Sequence, residues 1–432
     1  IIRKTEGLCP NCRKFVPAFA VEEGGSVYLD KECPLHGRSR SLIARRAPVY
    51  RDLLDFYARL ESRFPRRAAE IESCAFTTTL RCNLSCAICF AADGQREAPP
   101  EPSPDELTGM LAPVRGRGIM VRLTGGEPTL REDLPELVAR VKESGNHAVL
   151  VSNAVRLADA DYLALLRRRG LWGIAPWMDA ADDEAVYLRM RRRPFVAQRR
   201  ELLANARRLG LKLFVFFVCV KGFNDHEIGR ILSLGRDHPN LVKVILMPYL
   251  HRGARGFSAG EEYALDEFWE AVGAVLGYSL DDLVVLFQVF LAVRALRGRY
   301  TCFNSPFLLV PRSLRRKDGF DPDRYREVLS RFRGLMEESP AAARRYFLRA
   351  FGADLLRRGF GPPLLRRLLF PRREMAECYV PPGYVWLQFQ HLFHPPNYDR
   401  ELIGKYCCYF SLNPGLEKRV SFCEYYYLKL KT

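Results

Sequence analysis

Three closely spaced cysteines, Cys82, Cys86 and Cys89, are the residues of this sequence best suited to do chemistry. They follow a β-like run that begins at Cys74 and ends at Leu80, so one strand would deliver all three on a short loop. Three thiolates on such a loop can hold three irons of a 4Fe–4S cluster, which leaves the fourth iron open to a substrate or cofactor. A set of buried or zinc-bound thiols is the alternative.

A second motif ends the next predicted strand. The apolar run from Gly118 to Leu123 leads into Gly125, Gly126 and Glu127, which a proline follows. Glycines allow a backbone to approach a ligand closely, and the carboxylate could accept hydrogen bonds from an ammonium group. Taken alone, this motif would be an ordinary turn.

Together, the C-x3-C-x2-C loop and the Gly-Gly-Glu-Pro strand end resemble the signature of the radical S-adenosylmethionine (radical SAM) superfamily. The resemblance implies that the three cysteines hold a 4Fe–4S cluster and that SAM chelates its open iron. Reduction then cleaves SAM to a 5′-deoxyadenosyl radical. The resemblance also implies that the two glycines and Glu127 seat the methionyl group of SAM.

From Cys74 onward, strand-like runs alternate with helical patterns, which predicts a parallel α/β sheet or barrel. Six such βα units agree with the partial (β/α)6 barrel that the resemblance implies. Functional residues gather at the carboxyl ends of parallel strands. We therefore expect Asn153 and Asp179, which follow the third and fourth strands, to face SAM, although Asn153 could simply form a turn.

Two short knuckles near the N-terminus have the spacing of a metal site. The first knuckle contains Cys9 and Cys12, and the second, about 20 residues further on, contains Cys33 and His36. This pattern is typical of a zinc ribbon or a rubredoxin-like iron site, and a Gly-Gly pair between the knuckles predicts a hairpin. So small a ribbon has too little core to fold without its metal. The sequence leaves open whether the metal is zinc or iron and whether His36 is the fourth ligand.

Late cysteines form the last group with ligand chemistry. The chain has 13 cysteines in short groups, which favours metals in a reducing compartment over disulfides. Beside a radical SAM core, late cysteines suggest an auxiliary iron–sulfur cluster, and a buried free thiol is the alternative for each. The candidate ligands are Cys302, Cys407, Cys408 and Cys423.

The formal net charge of +17 implies an anionic partner such as phospholipid headgroups, nucleic acid or a phosphorylated small molecule, with a solvated basic surface as the alternative. Arginines interleave with leucine pairs between residues 312 and 373, as in helices that lie on an anionic membrane. A core helix with one solvated face is the alternative. We expect no nucleic acid partner, because no nucleic-acid-binding fold is recognised.

No run reaches the ~20 apolar residues of a membrane-spanning helix, and no signal peptide opens the chain. We therefore expect a cytoplasmic protein, with a peripheral contact at the inner face of the membrane as a further hypothesis. The sequence predicts an α/β fold in five parts, which are a metal-binding ribbon, a connector helix, the barrel, a basic helical region and an auxiliary cluster region. These parts cover residues 1–47, 48–73, 74–260, 261–375 and 376–432.

The whole layout resembles the branch of the superfamily that contains the archaeal tetraether lipid synthase. The ribbon, the cysteine loop, the segment from Asn224 to Gly229 and the tail from Phe393 to Cys423 carry this resemblance. The archaeal members of this branch have a further cysteine-rich segment between the ribbon and the barrel. The corresponding residues of this chain, 38–72, contain no cysteine. This difference predicts that one auxiliary cluster is missing here.

This closer resemblance implies hydrogen abstraction from an unactivated sp3 carbon and formation of a C–C bond on a lipid alkyl chain. The alternative is radical methylation of a small molecule or cofactor, since relatives are linked to methylation with a folate-type one-carbon donor. A non-catalytic iron–sulfur redox protein is the third hypothesis. Either enzyme would need an external electron donor of the ferredoxin or flavodoxin type.

Overall fold

The computed structural model describes residues 1–66, 73–89, 101–251, 256–300, 302–360, 380–381, 383–406, 409–412 and 420–421. These residues form two compact units that interleave along the chain. The first unit contains the described residues of 1–70, 264–372 and 379–407, and the second contains those of 71–263 and 408–432.

The ribbon is a four-stranded antiparallel sheet with its strands in chain order. The strands are β1 (Arg3–Leu8), β2 (Phe15–Glu23), β3 (Ser26–Cys33) and β4 (Gly37–Ala44). Between β2 and β3, Gly24 and Gly25 have φ of +57° and +77°. Two central residues with positive φ make the hairpin turn whose twist matches the flanking strands, so the predicted hairpin is confirmed.

One helix, α1 (Ala47–Arg63), connects the ribbon to the rest of the chain. It belongs to the first unit, where the Tyr57 ring lies 5.4 Å from the Phe303 ring and Gln288 Nε2 donates to Asp52 Oδ2 at 2.5 Å. Its apolar face therefore packs within the first unit.

The second unit is built on six parallel strands. They are β5 (Ser73–Thr79), β6 (Met120–Gly125), β7 (His147–Ser152), β8 (Leu171–Pro176), β9 (Lys212–Cys219) and β10 (Leu241–Pro248). Each strand pairs with its neighbour in the chain, in the order β10-β9-β8-β7-β6-β5. All six predicted strands are confirmed, and their nearly continuous burial is typical of a parallel sheet covered on both faces.

Helices follow these strands as the α/β pattern predicts. They are α2 (Pro104–Leu111), α3 (Leu134–Glu143), α4 (Ala160–Arg169), α5 (Glu184–Arg191), α6 (Val196–Arg208) and α7 (Ile228–Asp237). Local sequence sets several of their ends. Asp159 caps the first turn of α4, and Gly170, with φ of +112°, ends that helix in the left-handed conformation.

The first unit continues with helices and a two-stranded antiparallel ladder. The elements are α8 (Leu265–Leu276), α9 (Leu280–Ala295), β11 (Phe307–Pro311), α10 (Pro322–Glu338), α11 (Pro340–Arg357), β12 (Tyr384–Phe389) and α12 (Arg400–Tyr406). In the part of the chain that the structure describes, no single helix is long and apolar enough to span a membrane. The pair α8 and α9 meets that criterion only jointly, across a bend of 99°.

Two short strands come from the tail. β13 (Tyr409–Leu412) lies parallel beside β5, and β14 (Val420–Ser421) pairs antiparallel with β13. The sequence analysis predicts neither strand. Cys407, Cys408 and Cys423 fall outside the described residues, so the auxiliary cluster stays a prediction. Cys302 is described and buried in the first unit.

Candidate active site and ribbon metal centre

The cysteine loop begins where β5 ends. Cys86 is buried, and Cys82 and Cys89 are half-buried. The amide of Ala87 donates to Met190 O at 2.9 Å, which ties the loop to α5. Burial raises the pKa of the Cys82 thiol to about 11, so this thiol needs a bound cation to be a thiolate at neutral pH.

The two glycines of the second motif lie against the start of the cysteine loop. Gly126 N donates to Thr79 O at 2.7 Å. A Cβ atom on Gly125 would lie 2.0 Å from Thr79 O, and one on Gly126 would lie 2.2 Å from Arg81 O. The sequence analysis predicts a close approach to a ligand, but the contact that requires glycine here is between β6 and the loop itself.

Glu127 is fully buried, and both of its carboxylate oxygens accept hydrogen bonds from the chain. Oε1 accepts from Thr129 N at 3.1 Å, Thr129 Oγ1 at 2.6 Å and Ser152 Oγ at 2.8 Å, and Oε2 accepts from Asn153 N at 2.7 Å. Burial raises the pKa of this carboxyl in spite of these donors. In this structure the carboxylate joins the ends of β6 and β7, and its contact with the SAM ammonium stays a prediction.

Asn153 reaches from the end of β7 to the cysteine loop, where Asn153 Nδ2 donates to Asn83 Oδ1 at 2.7 Å. Its own position is fixed twice, because Val155 N donates to Asn153 Oδ1 at 3.1 Å and Arg199 Nη1 donates to the Asn153 carbonyl at 2.6 Å. The structure therefore brings Asn153 to the predicted site. Sequence reasoning missed Asn83. Its position between Cys82 and Cys86 could have indicated that it helps to hold the cysteine loop.

Asp179 also lies at this edge of the sheet, but a neighbouring side chain occupies its carboxylate. Arg191 Nε and Nη2 donate to the two carboxylate oxygens at 2.5 and 3.0 Å. Arg191 Nη1 lies 3.7 Å from Cys86 Sγ. Asp179 thus reaches the cysteine loop through Arg191, which sequence reasoning missed because it stands in an arginine run typical of a solvated surface.

An apolar wall lies against part of the cysteine loop. Leu84, Ala87 and Ile88 of the loop belong to one hydrophobic cluster with buried side chains from α5, β9 and the end of β10. Among them, the rings of Tyr187 and Phe195 lie 5.7 Å apart at an angle of 65°. This wall can keep water from the cysteine loop.

The ribbon knuckles bring four ligand atoms together. Cys9 Sγ and Cys33 Sγ lie 3.7 and 3.5 Å from His36 Nδ1, and Cys12 Sγ lies 3.8 Å from Cys33 Sγ. All four atoms are within 4.8 Å of one another. Three thiols and an imidazole are a usual ligand set for structural zinc. Burial raises the pKa of Cys9, but the amides of Cys12 and Asn11 outweigh it and lower the value to about 7, which favours the thiolate that a metal binds.

Two family models match parts of this chain. Residues 76–235 match the Radical SAM superfamily, and residues 1–45 match the HMPTM N-terminal zinc ribbon domain. Residues 76–235 therefore have the radical SAM fold, and residues 1–45 form a zinc ribbon domain. The donor sets fit the implied cofactors, which are a 4Fe–4S cluster and SAM in the barrel and zinc in the ribbon.

Two curated relatives illustrate the similarity. The 7,8-dihydro-6-hydroxymethylpterin dimethyltransferase of Methanocaldococcus jannaschii is 29% identical over 264 residues, which cover 56% of this chain and 52% of that protein. The GTP 3′,8-cyclase of Aquifex aeolicus is 34% identical over 182 residues, which cover 40% of this chain and 55% of that protein. The chain thus spans about half the length of these relatives.

Among solved structures, SuiB of Streptococcus suis bound to S-adenosylmethionine is similar in part. It has 16% sequence identity and a TM-score of 0.41, with 52% of this chain and 51% of SuiB covered. The two curated relatives are named as a methyltransferase and a cyclase. The resemblance to the tetraether lipid synthases stays a prediction.

Proposed function

We propose that this chain is a radical SAM methyltransferase that adds a one-carbon unit to a carbon atom of a small pterin-like molecule. The observation that carries the proposal is the pairing, in one chain, of an HMPTM-type zinc ribbon with a radical SAM barrel. The similarity to a pterin dimethyltransferase supports the same substrate class.

The bound cluster and SAM would supply one-electron chemistry that removes a hydrogen atom from an unactivated carbon. The chain's own residues would prepare the site for it. Cys82, Cys86 and Cys89 would hold the cluster, and the contact between Asn83 and Asn153 would keep their loop at the carboxyl edge of the sheet. The apolar wall against Leu84, Ala87 and Ile88 would exclude water from that part of the loop and limit side reactions.

The net charge of +17 suits an anionic partner, which in this proposal is the glutamate carboxylates of a folate-type one-carbon carrier. We propose a folate-type carrier as the donor of a methylene unit. The hydrogen atom of the substrate C–H bond would end in 5′-deoxyadenosine, the carbon would bond to the methylene unit, and the bonds from that unit to the carrier would break. Reduction of the methylene to a methyl group takes two further electrons and two protons. The electrons would come from an external protein of the ferredoxin or flavodoxin type. A soluble reductant can replace that protein in the test of the proposal.

The test is an anaerobic assay of the reconstituted protein with dithionite and SAM. 7,8-Dihydro-6-hydroxymethylpterin is the substrate probe, and a methylene-folate is the one-carbon donor. We expect 5′-deoxyadenosine together with a pterin product that is heavier by one methylene. Both should disappear in Cys86→Ala, whose ribbon zinc should be unchanged.

The possible results separate the hypotheses. Formation of 5′-deoxyadenosine with no methylated product, from pterin or from a panel of small anionic molecules, would contradict methylation but leave a radical SAM enzyme. No 5′-deoxyadenosine from a protein with a full iron content would instead support the non-catalytic redox protein. A methylated product that also forms in Cys86→Ala would exclude the barrel as its source.

A second candidate function is C–C bond formation on a lipid alkyl chain, which one surface of the first unit favours. Arg344, Arg345 and Arg349 are exposed on α11, and the structure shows no ion pair for them among the described residues. Leu356, further along the same helix, is 54% exposed. Such a basic helix surface suits a lipid headgroup layer. Long-chain lipid dimers, formed from a lipid extract only when SAM is present, would support this function.

A further inference from the structure

Arg191 is a buried cation in direct reach of a predicted cluster ligand. Its side chain is 8% exposed, and Nη1 lies 3.7 Å from Cys86 Sγ. A guanidinium cannot lose its proton under ordinary conditions, so its charge is permanent. An N–H group at this distance from sulfur is within hydrogen-bonding range for a thiolate.

A chain of contacts fixes the guanidinium in this place. Asp179, fully buried, accepts from Arg191 Nε and Nη2 at 2.5 and 3.0 Å. Asn224 Nδ2 in turn donates to the Asp179 carbonyl at 2.9 Å. The guanidinium carbon also lies over the Trp177 ring, 5.3 Å from its centre. Because the guanidinium is planar and Asp179 holds two of its nitrogens, the direction of the third nitrogen is fixed, and that nitrogen faces Cys86 Sγ.

We propose that Arg191 is a positioning residue of the barrel cluster, which it makes easier to reduce. Hydrogen bonds to cluster sulfurs and nearby charge are among the factors that set the potential of an iron–sulfur cluster. Reduction adds one electron to the cluster and no proton to Arg191, so the fixed positive charge favours the reduced form. The inference rests on the three-cysteine cluster and is independent of the substrate that is methylated.

The test is a redox titration of the reconstituted protein without SAM or substrate. The signal of the reduced barrel cluster is followed by electron paramagnetic resonance. A triple variant of the three barrel cysteines gives the baseline, so that any auxiliary cluster is subtracted. We expect Arg191→Gln to keep its iron and to show about a tenfold lower ratio of reduced to oxidised cluster at a fixed potential, which is 59 mV for a one-electron couple.

Arg200→Gln is the matched control, because it removes one arginine charge from an exposed position on α6 and should leave the ratio unchanged. Arg191→Lys keeps a charge but not the planar fork, and we expect a smaller shift in the same direction. If Arg191→Gln fails to take up iron, the proposal is decided by whether Arg191→Lys lowers the ratio of reduced to oxidised cluster. A loaded variant at position 191 with the wild-type ratio would overturn the proposal.

If the proposal is right and methylation is not, the titration still shows the shift while the pterin assay gives no product. The two failures can therefore be told apart. A protein in which the three-cysteine variant and the wild type hold the same iron would contradict the cluster site itself, and with it this inference.

Discussion

The side-chain amide of Asn153 donates a hydrogen bond to the side-chain oxygen of Asn83 at 2.7 Å. Asn83 stands in the cysteine loop, and Asn153 follows β7, the third strand of the barrel sheet. Because Asn153 is itself held by Val155 N and Arg199 Nη1, it offers the loop a fixed point of attachment. The ligand loop is thus positioned by a strand end two strands away from the one that it follows.

We expect Asn153→Ala to weaken SAM binding by about fivefold. A hydrogen bond of this kind contributes about 1 kcal/mol, and losing it frees the loop that presents the cluster. The dissociation constant of SAM can be measured on the reconstituted protein. Asn205→Ala, which removes a helix-surface contact with Ala158 O, is the control and should bind SAM as the wild type does.

A double-mutant cycle separates the contact from other effects of the substitution. If the two asparagines act through each other, Asn83→Ala should add little to Asn153→Ala, with a coupling energy of about 1 kcal/mol. Additive effects of the two substitutions would mean that each residue contributes separately, for example by contacting SAM directly.

The sheet and the ligand motifs could be predicted from the sequence because their signals are local. Each barrel strand is an apolar run between helical patterns, and the pair Gly24 and Gly25 predicts the hairpin turn. The spacing of the cysteines likewise does not depend on the rest of the fold. Such features need no knowledge of distant residues.

The partners of the site residues could not be predicted, because they depend on tertiary contacts. Arg191 stands in a run of arginines, and only the fold shows that it is buried against Asp179, 12 positions away. Glu127 has the expected place, but two of its four donors, Ser152 Oγ and Asn153 N, come from another strand end. β13 pairs with β5 from the far end of the chain, and a run of four residues gives no periodic signal of such pairing.

Loss of the ribbon metal should unfold β1 to β4. The four-stranded sheet is small, and a metal bound by Cys9, Cys12, Cys33 and His36 would join both knuckles. We expect Cys33→Ser to lose zinc and to increase amide hydrogen exchange throughout the ribbon. Leu35→Ala, at a 69% exposed position between two of the ligands, should keep both the zinc and the protection. Full protection in a zinc-free protein would contradict a metal-dependent fold.

The first unit should lose stability as the pH falls from about 6.5 to about 4. Burial lowers the pKa of His391 from 6.5 to about 4, and its Nδ1 has no hydrogen-bond partner among the described residues. Between these values the unfolded chain binds a proton that the folded one excludes. The stability from neutral His391 is therefore complete above pH 6.5 and is lost as the pH falls to 4, by about 3 kcal/mol.

Unfolding of wild type and His391→Gln at pH 7 and pH 4.5 tests this dependence. The ionisable Asp399 lines the same pocket and forms an ion pair with Arg3, so this pair stays the same in both proteins. We expect a smaller loss of unfolding free energy in the variant. His226→Gln, whose side chain is 57% exposed and belongs to the second unit, should leave the loss in the first unit as it is in the wild type. An equal loss in His391→Gln would assign the acid sensitivity to other groups.

Binding to an anionic surface should depend on α11. The exposed arginines Arg344, Arg345 and Arg349 have no acidic partner in the described part of the chain, so they can meet lipid phosphates without first breaking an ion pair. Each basic residue near an anionic surface contributes about 1 kcal/mol. We therefore expect the triple glutamine variant to bind phosphatidylglycerol vesicles on the order of a hundredfold more weakly, as measured by vesicle sedimentation at low salt.

A second triple variant tests whether position matters or only net charge. Arg168→Gln, Arg169→Gln and Arg200→Gln together remove the same charge from exposed positions on α4 and α6. If α11 is the contact surface, this variant should bind vesicles nearly as the wild type does, and added salt should weaken both proteins alike. Equal weakening in the two triple variants would assign binding to the overall charge. No binding by the wild type would remove the observation that favours a lipid substrate, while the methylation of a small molecule would be unaffected.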